Sequence, residues 1–111
     1  MPLEPLHVEY GSAVLAYMPT DDATSGELAT VLDAAMGFAV SSLLAESDTY
    51  ATSELRTSYR RPVTVDAGPL RVEAGVLHRS STTALAEGRI VDAEGRLFAH
   101  ATATWSVRQA A

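Results

Sequence analysis

The chain has 111 residues, room for one domain. Apolar residues make up 47% and charged residues 20%, a balance that supports a buried core and argues against disorder. Fourteen acidic residues against eight basic ones leave a net charge of −6, which argues against nucleic acid as a partner, because that needs a basic face to displace counterions; the lack of any cysteine excludes disulfides, thiolate metal sites and a cysteine nucleophile. The longest apolar-rich stretch, Ala34 to Ala45, contains Gly37, Ser41 and Ser42 and is too short to span a membrane. The opening MPLEPLHVEY has no basic region followed by an apolar one, so no signal peptide is expected and a cytoplasmic protein is. A core this small leaves little to spare, so an oligomer that buries more surface is unsurprising. All eight basic residues are arginine, a bias that a GC-rich genome produces, so a functional arginine has to be argued by position.

In chain order, His7 to Met18 (HVEYGSAVLAYM) is rich in β-branched, aromatic and small residues and reads as a first strand closed by Pro19. Thr24-Ser25-Gly26-Glu27 has the form of a capping box and opens a helix. Behind it Leu28, Val31, Leu32, Ala35, Met36, Ala39 and Leu43 recur at helical spacing and form one broad apolar face, with the helix expected to end near Ala45 to Ser47. Four strand-like runs follow: Tyr50 to Arg60, Leu70 to Arg79, Thr82 to Asp92 and Leu97 to Val107. In the last, Leu97, Ala99, Ala101, Ala103, Trp105 and Val107 share one face, and the small ones fit a strand on which a helix packs closely. One strand, one long helix and four more strands predict an α+β domain over residues 1–111, with the helix packed across a single antiparallel sheet of about five strands.

Several chemistries lack their residues. There is no G-x-S-x-G elbow, the three histidines (His7, His78, His100) are scattered, no cluster has metal-ligand spacing, and Gly26 stands alone rather than in a phosphate-binding loop. Asp33 is different. It lies inside the helix at the edge of the apolar face, roughly 100° from its centre, where partial desolvation makes a carboxylate more basic; a solvated surface carboxylate is the plainer reading. Ser25 and Gly26 open the helix, where unpaired N–H groups and the positive dipole end can stabilise an oxyanion, although every helix start has those.

The stretch Ser25 to Gly37 (SGELATVLDAAMG) resembles the central helix of hotdog-fold acyl-CoA thioesterases of the phenylacetate-degradation (PaaI-like) type, which begins with His-Gly-Gly and carries an Asp or Glu nine residues after the His. Thr52 to Pro62 (TSELRTSYRRP) resembles that family's second strand, and Glu87 to Trp105 its last hairpin. The resemblance spans roughly Val8 to Val107 and implies a hotdog fold. It places the catalytic carboxylate on Asp33, the thioester-polarising amides on Ser25 and Gly26, a water- or substrate-positioning hydroxyl on Thr52, and the motif His on Thr24. It implies hydrolysis of an acyl-CoA with no cofactor beyond the coenzyme A of the substrate, at the interface of a homodimer that can pair into a dimer of dimers, with no membrane partner. Thr24 and Ser25 depart from the family's His-Gly. The chain also opens almost at its first strand, without the N-terminal helix that covers the pocket in many relatives, so a more open pocket is expected. Arg60, Arg61 and Arg79 are the candidate partners of the coenzyme A phosphates or plain surface arginines; Met36 is a candidate lining of the acyl site, with core packing the plainer role; and Tyr59 is equally a border of the coenzyme groove or a half-buried strand residue. Asp33 would act as general base on water or as nucleophile. The alternative is a non-catalytic hotdog module that binds acyl-thioesters or a partner protein, for which Thr24 in place of His is the main support. A dehydratase would need a His–carboxylate pair that cannot be placed.

Overall fold

One helix, α1 (Ser25–Ser41), lies across a single antiparallel sheet of six strands: β1 (Leu3–Glu9), β2 (Ser12–Tyr17), β3 (Thr49–Tyr59), β4 (Leu70–Arg79), β5 (Thr83–Val91) and β6 (Leu97–Arg108). The computed structural model describes residues 3–110; residues 1, 2 and 111, which the single-domain reading takes in, lie outside the described residues. The spatial order is β1-β2-β4-β5-β6-β3, so the chain leaves β2, runs through α1 and crosses to the far edge of the sheet. The two edges are therefore β1 and β3.

The helix-on-sheet architecture is the expected one, with one strand more than the five foreseen. The extra strand comes from the His7–Met18 run, which is not one strand but parts of two. Glu9 pairs with Ser12 across a two-residue turn in which Gly11 takes φ +81°, a conformation that favours glycine. The helix also stops earlier than its apolar pattern. Ser42 caps it: its hydroxyl bonds the carbonyls of Ala39 (2.7 Å) and Glu9 (3.0 Å) and accepts from the Gly11 N–H (2.7 Å). Leu43 and Leu44 continue only as tight turns, bonding back to Val40 and Ser41.

At its start Thr24 is the N-cap and accepts from the Glu27 N–H at 3.1 Å, one half of the capping box. The other half is diverted, because the Glu27 carboxylate instead accepts from the hydroxyl of Tyr17. Tyr17 is fully buried, and burial first, then the Glu27 bond and charge, push its hydroxyl well above the ordinary tyrosine range.

The core is the one layer between α1 and the sheet. Leu28, Val31, Leu32, Ala35, Met36, Ala39 and Val40 of α1 face Leu15, Val72, Ala86 and Ile90 and the Ala99/Ala101/Ala103/Trp105/Val107 row of β6. Burying each Leu, Val, Ile or Met here is worth about 1.5–3 kcal/mol. Two glycines set the close approach. A Cβ on Gly88 would lie 3.3 Å from Met36 Cγ, and one on Gly37 3.2 Å from Trp105 Cη2. Asp92 closes the β5–β6 turn, accepting from the Glu94 and Arg96 N–H groups (3.0 and 2.8 Å) and from Arg96 Nε (2.6 Å).

Candidate active site

Edge strand β3 runs beside α1 and supplies it with two hydroxyl contacts. Thr52 Oγ1 donates to Asp33 Oδ1 at 2.5 Å, and the Tyr59 hydroxyl donates to the Ser25 carbonyl at 3.0 Å. A regular strand could not make both. Side chains alternate with a period of two, so residues 52 and 59 would fall on opposite faces of the sheet. Thr52 pairs with Trp105 but Glu54 with Thr104, so Ser53 is an extra, bulged residue. The bulge resets the alternation. Tyr50 and Thr52 before it, and Leu55, Thr57 and Tyr59 after it, all stand opposite the helix-side residues of β6.

Asp33 is half-buried at the edge of α1's apolar face, where its place on the helical wheel puts it. Its bond from Thr52 is charge-assisted and short, which fixes the carboxylate's rotamer and leaves Oδ2 without a protein partner among the described residues. Ser25 and Gly26 open the helix exposed, with N–H groups that have no partner inside the helix. Ser25 is eight residues and Gly26 seven residues from Asp33, about 10–12 Å along the axis at 1.5 Å per residue. Within one chain, then, Thr52 and Asp33 meet, Ser25, Gly26 and Thr24 meet, and the two groups stay apart.

The arginines separate by their partners. Arg71 and Arg89 both bind Glu73 (2.8 Å each), and Arg96 binds Asp92 and Glu94 (2.6 and 3.2 Å). Arg79 donates from Nη1 to the Leu43 carbonyl at 2.7 Å, which ties it to the far end of the helix, away from Ser25. Arg60 and Arg61 are exposed, have no ion pair among the described residues, and line a cleft of about 250 Å³ together with Ser25, Leu28, Tyr59 and Val63. The helix start and these two guanidiniums thus share one concavity. Met36 is fully buried against Gly88 and lies in the core, not in that cleft. Trp105 is likewise a core residue, 4% exposed, its ring 5.8 Å from that of Tyr50.

A larger depression, about 350 Å³, sits on the opposite face of the sheet between Glu73, Glu87, Arg89 and His100, away from Asp33 and Ser25. His100 is 4.0 Å from Glu87 there, and His7 is 3.1 Å from Glu9 on β1, so neither pairs with Asp33. Among the described residues no group of three acidic or histidine side chains could hold a metal, and no helix is long and apolar enough to cross a membrane. Sequence reasoning left Tyr59 an even choice between a half-buried strand residue and a groove residue. Its contact with Ser25 is tertiary, and the bulge that directs it has no sequence signature.

The sequence profile of the thioesterase superfamily matches residues 25–99, from the helix start to the first residues of β6. No curated protein sequence matches the chain. Among solved structures, AziG of S. sahachiroi is 23% identical with a TM-score of 0.90, over 97% of this chain and 92% of that one. A hypothetical thioesterase from Streptococcus pneumoniae, solved with coenzyme A, is 23% identical with a TM-score of 0.87, over 98% and 89%. A phenylacetic acid degradation-related protein of Ralstonia eutropha is 26% identical with a TM-score of 0.85, over 94% and 83%.

Proposed function

Since the chain belongs to the thioesterase superfamily, with the hotdog fold, we propose that it hydrolyses an acyl-CoA thioester to the free acid and coenzyme A. The observation that carries this is the Thr52 hydroxyl held 2.5 Å from the Asp33 carboxylate on an otherwise apolar helix face. The coenzyme A solved with the Streptococcus pneumoniae protein supports the substrate class. Structures of that protein with one aspartate or one threonine replaced by alanine direct attention to the two residue types that meet here.

The working unit in this reading is two copies of the chain. The roughly 10–12 Å of helix between the Ser25 and Gly26 amides and Asp33 is too far for one carbonyl to be attacked at one and polarised at the other. A second copy, docked so that its helix start faces this Asp33, closes the gap. The exposed edge of β3 favours such pairing: it is eleven residues long, has no proline and exposes Tyr50, Leu55 and Tyr59, whereas the shorter β1 edge carries Pro5.

In the reaction Asp33 takes a proton from a water that Thr52 helps to place, as the water oxygen adds to the thioester carbon. The carbonyl oxygen becomes an oxyanion that the Ser25 and Gly26 N–H groups and the helix dipole stabilise. Collapse breaks the carbon–sulfur bond; the coenzyme A thiolate takes the proton back from Asp33 and leaves with the acid as second product. Direct attack by Asp33, through a mixed anhydride, is the variant route. Arg60 and Arg61 bind the coenzyme phosphates at the cleft beside the helix start.

The test is release of free thiol from a panel of short, medium, long-chain and aryl acyl-CoAs, with wild type beside Asp33→Asn. Turnover that falls more than about a hundredfold in the variant is expected, the size of a lost general base. Equal turnover in both would remove Asp33 from the chemistry. A folded, dimeric wild type silent on every substrate would favour the binding-module reading, for which the specific observation is that Thr24 stands at the motif His and spends its side chain on the Glu27 amide.

A further inference from the structure

The Tyr59 hydroxyl is held by two bonds. It accepts from Thr57 Oγ1 at 2.9 Å and donates to the Ser25 carbonyl at 3.0 Å. The first bond occupies a lone pair, which leaves the hydroxyl proton free to point at Ser25. Burial does not explain this placement, since the side chain is 44% exposed and could have turned to water. Nor does the carbonyl need it: Ser25 is the first residue of α1, and its carbonyl faces the N–H four residues on in helical geometry. The neighbouring Thr24 hydroxyl is engaged with the Glu27 N–H.

The Ser25 carbonyl and the Gly26 N–H belong to one planar peptide unit and point in opposite directions from it. A donor fixed on the oxygen therefore sets the direction of the N–H. The second residue of that unit is glycine, the residue with the widest backbone freedom, so an external restraint has the most to hold there. A donor on the carbonyl also polarises the unit and makes its N–H a stronger donor in turn.

We propose that Tyr59 is a positioning residue: through Ser25 it holds the peptide unit so that the Gly26 amide points at the thioester oxygen. This rests on the reading of the helix start as the oxyanion site. The Ser53 bulge belongs to the same device, because it lets one strand hold Asp33 through Thr52 and the Gly26 amide through Tyr59.

The experiment compares wild type with Tyr59→Phe, which removes only the hydroxyl, in the thiol-release assay and in amide NMR spectra of 15N-labelled protein. The expected result is a roughly tenfold fall in kcat with KM within about twofold of wild type, a melting temperature lowered by no more than a few degrees, and a displaced Gly26 amide resonance. A hydroxyl that only braced the fold would lower the melting temperature while leaving kcat and the Gly26 resonance alone, and that result overturns the inference. A wild type that turns over beside an equally active Tyr59→Phe, with Gly26 unmoved, overturns this inference alone. A wild type that releases no thiol from any acyl-CoA overturns the reading beneath it, and this inference with it.

Discussion

Deletion of Ser53 tests the bulge directly. Without that residue Thr52 and Glu54 are neighbours, still opposite Trp105 and Thr104, and the strand alternates regularly through the join. Thr52 and Tyr59 then lie an even number of residues apart, so both keep the helix side and both hydroxyl contacts. What the deletion loses is the 3.0 Å bond from the Ser53 hydroxyl to the Thr104 carbonyl. Such a bond is worth about 0.5–1.5 kcal/mol, and the extra twist of the bulge goes with it. The deletion should therefore stay within about 1.5 kcal/mol of wild type, read as a urea midpoint with unchanged slope, and should keep most thiol release. Ser53→Ala is the control: it loses only that bond and keeps the bulge, so it should stay within about 1 kcal/mol of wild type. Thr52→Val and Tyr59→Phe, introduced into the deletion, report the two contacts. A hydrogen bond to a charged group is worth about 1.5–3 kcal/mol and a neutral one about 0.5–1.5, and the partial exposure of both sites calls for the lower ends. Each substitution should cost in the deletion what it costs in the full chain. The parity argument is refuted if either costs nothing there, because the side chain it removes has then already left the helix.

Gly37→Ala and Gly88→Ala create similar nominal overlaps, 3.2 and 3.3 Å, with opposite expected outcomes. The buried indole of Trp105 cannot yield, so overpacking outweighs the gain in helix propensity of about 1 kcal/mol and Gly37→Ala should lose roughly 1 kcal/mol in urea denaturation; Met36 is flexible, so Gly88→Ala should stay within about 0.5 kcal/mol. Because the Tyr17 hydroxyl is raised in the folded state, the unfolded chain gives up its proton first as pH climbs past about 10, so the folded state loses stability above that pH. The urea midpoint should fall between about pH 10 and 11 in wild type and fall less in Tyr17→Phe; equal slopes would unseat the assignment. Arg60→Gln with Arg61→Gln should raise KM for an acyl-CoA severalfold with kcat nearly unchanged, and the difference should shrink near 1 M salt; an unchanged KM would move the phosphate site elsewhere.

The sequence is legible wherever one period governs a whole element. The helix face from Leu28 to Val40 and the alternation from Ala99 to Val107 are strong repeats imposed by a single neighbour, the core, and both elements form where those repeats lie. Leu70–Arg79 is matched at both ends, since Pro69 and the register with β5 bound it. The misses share a cause: in each, a tertiary partner outweighs the local pattern. Tyr10-Gly11 is not one of the strong two-residue hairpin pairs, and its turn is fixed by the Gly11 N–H on Ser42, 31 residues away. That same hydroxyl ends the helix before Leu43, whose apolar character continues the pattern on paper.

The site follows the same rule with more at stake. Asp33 could be located at the edge of a helix face because helical period alone puts it there. Periodicity could not find its partner, which only the family resemblance named, because Thr52 reaches it from a strand at the far edge of the sheet, paired only with β6 among the described strands. Nor does any residue type announce Ser53: a serine is ordinary in β3, and only its place between Thr52–Trp105 and Glu54–Thr104 makes it the residue that turns two hydroxyls toward one helix. A bulge on an edge strand has fewer ladder bonds to disturb than one inside the sheet, and so it can be spent on aiming side chains. Asp33 and the Ser25–Gly26 peptide unit lie about 10–12 Å apart along one helix, and β3 is the strand whose hydroxyls touch each.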